Sequence, residues 1–200
     1  MFKLITAEDI RASSKATIGD EFNLLIDDII IPRVCELLAD ECNRPDFDSK
    51  SRTELFSTRS RQRVLFLKSP PIAASPTIQV WQSTSTPRVF DAGTLLTKDV
   101  DYFVDEQIGI IERPSSSYFS EGPNVVKVVY TGGYVTSDGQ GVPPLLKGAA
   151  LYQAKLIFDR REELGVSSRS VEGGSLSLLP LILPPDIKKE LRKFRLPTYC

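Results

Sequence analysis

Asp99, Asp101, Asp105 and Glu106 fall within eight residues of one another and are the densest set of groups in the chain suited to general acid and base work. A carboxylate pair flanking a glycosidic bond would make a carbohydrate hydrolase, which is one function open to this sequence. Acids around short strands are more often turn residues than catalysts, and spacing alone does not raise the catalytic reading. Histidine is absent, which removes the usual triads, imidazole proton transfer and histidine metal ligation. Cys35, Cys42 and Cys200 form no C-x-x-C and leave an odd thiol, so neither a disulfide framework nor a cysteine zinc site is expected. Cys35 and Cys42 read more simply as small apolar residues one heptad apart on a helix. The glycines of TGGY and DGQG precede a helix N-terminus, where phosphate can bind. Neither G-x-x-x-x-G-K-[ST] nor G-x-G-x-x-G occurs, so a turn is expected there, with no cofactor and no metal.

The cationic groups allow contact rather than catalysis. Arg59, Arg61 and Arg63 alternate with Ser60 and Gln62; on a strand they would share one face and could meet DNA phosphates or a neighbouring subunit, or simply keep an edge soluble. Trp81 reads as core or subunit contact, because no second aromatic accompanies it at strand spacing. Net charge is −1, but residues 1–50 hold eleven acids against six bases, whereas residues 185–200 hold five bases against two acids. An acidic head and a basic tail suit contacts between copies or with a charged partner better than sequence-independent DNA binding, which wants one dominant basic face.

The elements that would position these groups are helical at the ends and stranded in the middle. Thr6 and Asp9 resemble a capping box opening a short helix to about Ser14. From Asp20, Phe22, Leu25, Ile26, Ile29, Ile30, Val34, Leu37, Leu38 and Cys42 recur at three and four, the mark of one buried stripe. Pro32 interrupts it, so a kink or two shorter helices are expected. From Arg59, RQRVLFL, TIQVWQ, PRVF, DYFV, QIGIIE and NVVKVVYT read as short strands, with DYFVDEQIGII a hairpin that turns near Asp105 and Glu106 and packs through Tyr102, Val104, Ile108 and Ile110. Pro143 and Pro144 start a further helix and Gly165 stops it. Leu145, Leu146, Ala149, Tyr152, Leu156, Ile157 and Arg160 follow its period, and Gly148, Ala149, Ala150 and Ala154 would allow close approach to the Ile26–Leu38 stripe. VSSRSVEGGSLSLLPLILPP has no helical period and reads as an extended arm. PPDIKKELRKFR restarts a basic helix with one apolar seam at Ile187, Leu191 and Phe194.

The fold class expected is therefore α+β: mainly an α-helical bundle, with an inserted small antiparallel β subdomain and an extended C-terminal arm ending in a short helix. One domain would span 1–165, with helices in 6–43 and 143–164 and a β insertion at about 59–134; residues 166–200 would be the arm and helix. No run of about 18 or more apolar residues exists, and MFKLITAEDI lacks the regions of a signal peptide, so the expectation is a chain that stays in the cytoplasm where it is made.

The order of the pieces carries a resemblance. A helical pair ending in CNRPDF, then VLFLKSPPI, IQVWQ, LLTKDVDYFVDEQIGIIER, NVVKVVYTGGY, VPPLLKGAALYQAKLIFDRRE and LPPDIKKELRKFRLP together resemble the head-to-tail connector (adaptor) proteins of long-tailed bacteriophages and gene-transfer particles. The resemblance implies a non-enzymatic structural protein of the virion neck. Such a protein forms a ring, usually dodecameric, beneath the portal protein and extends the DNA channel toward the tail or head-completion (stopper) protein, with no sequence-specific DNA binding and no membrane contact. The junction from VVYTGGY into the proline-started helix would then hold one geometry in every copy. The C-terminal helix would dock on the portal through Ile187, Lys188, Leu191, Arg192, Phe194 and Arg195. Another neck or tail completion protein is the alternative within the same class.

Overall fold

Thr6 opens the first helix through its own side chain. The Asp9 amide donates to Thr6 Oγ1 at 3.2 Å and the Thr6 amide donates to the Asp9 carboxylate at 2.9 Å, closing a capping box at the start of α1 (Ala7–Ser13). The computed structural model describes residues 3–14, 18–86, 88–134, 141–161, 168–171, 174–177 and 183–196. It divides into two units: Met1–Arg44 with Gly139–Cys200, and Pro45–Asp138.

In the first unit a 3-10 turn (Asp20–Phe22), α2 (Asn23–Leu25), a π-helical segment (Ile26–Ile30) and α3 (Ile31–Glu41) run on without a break. The expected kink at Pro32 is replaced by the π turn. Pro32 cannot donate the next hydrogen bond, and the wider turn just before it, in which the Ile31 amide donates to the Ile26 carbonyl, lets the helix continue. Ile26, Ile30, Val34, Leu38 and Cys42 are buried at steps of four, joined by Ile31 and Cys35. Ile29, assigned to this stripe from the sequence, is exposed on the other side.

α4 (Pro144–Asp159) begins after Pro143, as its prolines direct. It ends at Asp159 rather than near 164, because Arg160 leaves the helical region as C-cap; Gly165 lies outside the described residues. α4 buries Leu146, Ala149, Ala150, Gln153, Ala154, Ile157 and Phe158, and packs on the π segment, α3, α1 and α5 (Pro185–Leu191). Leu145 and Tyr152 face outward, and Gly148 has open space where a side chain would stand, so close approach rests on the alanines alone. The arm is not simply extended: β7 (Ser168–Val171) and β8 (Gly174–Ser177) pair antiparallel as a hairpin. The remainder of that arm up to 182 lies outside the described residues.

The second unit holds two three-stranded antiparallel sheets. One has the order β1 (Lys50–Thr58), β6 (Gly122–Gly132), β3 (Gln79–Gln82); the other has β2 (Val64–Phe66), β5 (Ile110–Glu112), β4 (Phe103–Asp105). The strands thus begin at residue 50, ahead of the expected 59. PRVF contributes none, because residues 88–90 run as irregular chain. Leu65, Val80, Tyr102, Ile111, Val126, Val128 and Tyr130 form the centre of the core between them. The class is α+β, with the long helices and the β7–β8 hairpin in the first unit and the two three-stranded sheets in the second.

Candidate functional site

The acidic hairpin forms where expected, with Phe103 opposite Glu112, Val104 opposite Ile111 and Asp105 opposite Ile110. Its acids are engaged in turns. Asp101 accepts the Thr97 amide at 2.8 Å, Asp105 accepts the Gln107 and Ile108 amides at 3.0 and 3.2 Å, and Glu106 pairs with Lys98 Nζ at 3.0 Å. Asp99 holds a left-handed backbone, φ 64°, and its amide donates to the Tyr102 carbonyl. Burial, followed by the charges of Asp99 and Asp101, pushes the Tyr102 phenol up to about 12; its hydroxyl donates to the Ile78 carbonyl at 3.0 Å. Ile108 lies exposed at the turn, so Ile111 takes the packing role assigned to it.

Arg59, Arg61 and Arg63 do not share a strand face. Arg59 to Gln62 form a tight turn with Arg61 at φ 59°, closed by the Gln62 amide donating to the Arg59 carbonyl and the Arg59 amide donating to Gln62 Oε1. Arg59 and Arg61 are exposed at its tip, while Arg63 folds back to Glu112 Oε1 at 3.1 Å and to the Arg113 carbonyl. Trp81 shares a cation with a second aromatic that strand spacing did not reveal. Lys127, opposite Trp81 in the ladder, places its ammonium 5.1 Å from the Trp81 ring and 5.8 Å from the ring of Phe90, which a loop brings in.

The TGGY stretch is a close backbone crossing. The Gly133 amide donates to the Pro71 carbonyl and the Tyr134 amide to the Phe47 carbonyl, and Gly133 takes φ 129° with the Asp48 carbonyl against the place a Cβ would fill. The DGQG residues 138–140 lie outside the described residues.

The basic C-terminal helix α5 is seated in its own unit. Leu191 and Phe194 are buried; the Leu191 carbonyl lies 3.8 Å from Cys42 Sγ, the Phe194 carbonyl accepts Arg44 Nε at 2.6 Å, and the Leu196 amide donates to the Cys42 carbonyl. Lys188 pairs with Glu41 at 3.1 Å. Of the six residues assigned to a portal contact, Arg192 and Arg195 are exposed and Ile187 and Lys188 half-buried. Burial pushes the Cys42 thiol up to about 11. Among the described residues no helix is long and apolar enough to cross a membrane.

No family model and no curated protein matches the sequence. Among solved structures, a chain in the neck of an empty gene transfer agent (GTA) particle, reconstructed with C6 symmetry, superposes with a TM-score of 0.60 at 10% identity, covering 96% of this chain and 88% of that one. The chain shares the fold of a gene-transfer-agent neck protein. A chain of the virion of the native GTA particle superposes with TM-score 0.59 at 11% identity, with 97% and 90% of the two chains covered. A chain of the native neck reconstructed with C12 symmetry gives 0.54, 12%, 90% and 88%. The alignments cover 96% and 97% of this chain and so include both units.

Proposed function

We propose that the chain is a structural protein of the neck of a phage-like particle, acting by contact and not by catalysis. The observation that carries this reading is the shared fold over 96% of the chain with a neck protein of a gene transfer agent. The six-fold and twelve-fold symmetries of the matched necks support a ring of copies. In the finer reading the chain is the head-to-tail adaptor: a dodecameric ring beneath the portal protein that continues the DNA channel to the stopper or tail completion protein. It is made in the host cytoplasm and built into the virion neck. DNA passes without sequence readout, and the Arg59–Arg61 turn is the basic feature offered to phosphates or to a neighbour. The portal contact falls to the outer side of the C-terminal helix, through Ile187, Lys188, Arg192 and Arg195, with Leu191 and Phe194 holding that helix in place from within.

The hydrolase reading loses its motive, because Asp101, Asp105 and Glu106 are each occupied in holding a turn or an ion pair. Deleting the gene from a particle-producing strain tests the proposal. DNA-filled heads and finished tails that fail to join support it. Normal particles, or loss of a hydrolytic activity with joining intact, overturn it.

A further inference from the structure

β1 leaves one side of its sheet open. On β6 the Thr131 carbonyl accepts the Ala73 amide at 2.8 Å and the Val125 carbonyl accepts the Ser83 amide at 2.9 Å, so Val125, Lys127, Val129 and Thr131 turn their backbone groups toward the β3 side. Ser51, Thr53 and Leu55, which stand opposite Thr131, Val129 and Lys127, therefore turn their own amides and carbonyls away from β6. Among the described residues no hydrogen bond reaches those groups. The far edge of the sheet is closed: the Leu96 amide donates to the Val80 carbonyl at 2.8 Å, and Leu95 bridges Trp81. Neither proline nor an exposed charge interrupts Ser51–Leu55, and the irregularity in β1 falls beyond that run, between Phe56 and Thr58. Arg52 and Glu54 are turned to the other face, on Asp46 and Tyr130. An unguarded edge of this kind is a template for another strand.

The same chain carries strands that lack a sheet. β7 and β8 pair only with each other and form a sheet of two strands, separate from both sheets of the second unit. A two-stranded hairpin is marginal in water until a third strand joins it. Each of its strands has four residues, enough to run beside Ser51–Leu55. An edge without a partner strand and a hairpin without a third strand answer one another, and within one copy they remain in different sheets.

We infer that the β7–β8 hairpin of one copy adds to the open β1 edge of the next, extending that copy's sheet through main-chain hydrogen bonds to Ser51, Thr53 and Leu55. The contact is head-to-tail. Each copy gives a hairpin and offers an edge, so the contact repeats, and it closes into a ring when each step turns by the same angle. The inference rests on the ring reading above and names the strands that join the copies.

Cross-linking in purified particles tests it, in a Cys200→Ser background with the buried Cys35 and Cys42 left in place. One full-length chain carries Thr53→Cys with Ser170→Cys and a second carries Thr53→Cys with Ser175→Cys, so that either strand of the hairpin is read. A short bis-maleimide should turn at least one of these chains into a ladder of covalent multimers that runs well past the dimer. The corresponding single-cysteine chains should give no ladder. Thr53→Pro removes an amide that bonds nothing within the copy, at an edge position where proline is accepted. The free Thr53→Pro chain should melt with the parent, while the yield of joined particles falls by about ten-fold or more. A product linked only within one copy, no product, or joining undiminished by Thr53→Pro overturns this contact. If particles nonetheless show the chain as a neck ring, only the assignment of strands has failed; if they show no ring, the reading beneath it has failed as well.

Discussion

The Arg44 guanidinium donates its Nε hydrogen to the Phe194 carbonyl at 2.6 Å, so the end of the α3 region grips the last turn of the C-terminal helix across 150 residues of sequence. Both groups are buried, and so is Leu191, whose carbonyl lies 3.8 Å from Cys42 Sγ. Leu191→Ala should cost about 2–5 kcal/mol of first-unit stability through the cavity it leaves. Urea unfolding would measure the loss, and hydrogen exchange should show amides 188–195 exposed by opening well before those of α3. Unchanged protection would mean that the segment is held by something other than this clasp.

Two glycines should respond in opposite directions to the same added methyl. Gly133→Ala places a Cβ against the Asp48 carbonyl at a φ that side chains rarely adopt, and should destabilise the second unit by about 1–3 kcal/mol. Gly148→Ala meets only open space within α4 and should stabilise the first unit by about 0.5–1 kcal/mol. Thermal melts of the two variants beside the parent chain decide both.

Acid should remove stability through Asp46. Burial raises this carboxyl, but hydrogen bonds from Arg52 and Lys50 outweigh it, so the group titrates below its ordinary value. The folded chain then binds fewer protons than the unfolded chain, and the stabilisation is complete above about pH 4 and lost as pH falls through the depressed folded value. Asp46→Asn should therefore weaken the chain at pH 7, and the gap to the parent should shrink as pH drops below about 4. A gap that is constant with pH would contradict the linkage.

The two core thiols should be silent in the folded state. Cys42 and Cys35 are buried, and burial pushes both thiols up, Cys42 to about 11. Peptide-resolved alkylation at pH 8 should label neither until denaturant unfolds the first unit. Rapid native labelling of Cys42 would mean that the α5 cover opens easily.

The helical ends and the Phe103–Glu112 hairpin were legible because their signals are local: Thr6 with Asp9, Pro143 with Pro144, and alternation on both sides of a turn. β1 was not, since three of its four inward positions, Arg52, Glu54 and Thr58, are polar and only Phe56 is apolar. Arg52 reaches Asp46 and the Asp48 carbonyl, and Glu54 accepts the Tyr130 hydroxyl and the Lys68 amide, so KSRTELFST lacks the apolar alternation that marks a strand. Phe90, which meets the same Lys127 ammonium as Trp81, escaped notice because it comes from a loop and not from the neighbouring strand position. The seam on α5 was read correctly as apolar and misjudged in its partner: periodicity says that Leu191 and Phe194 are covered, but not by which surface. Order of elements, more than any residue, carried the resemblance.

A place in the particle neck is most directly tested by cryo-electron microscopy of particles in which this chain carries a small C-terminal tag bound by a labelled Fab. A neck protein gives label confined to the junction of head and tail, with density there that averages as a ring of this fold. Label at the far end of the tail, spread over the head, or absent from purified particles would contradict it.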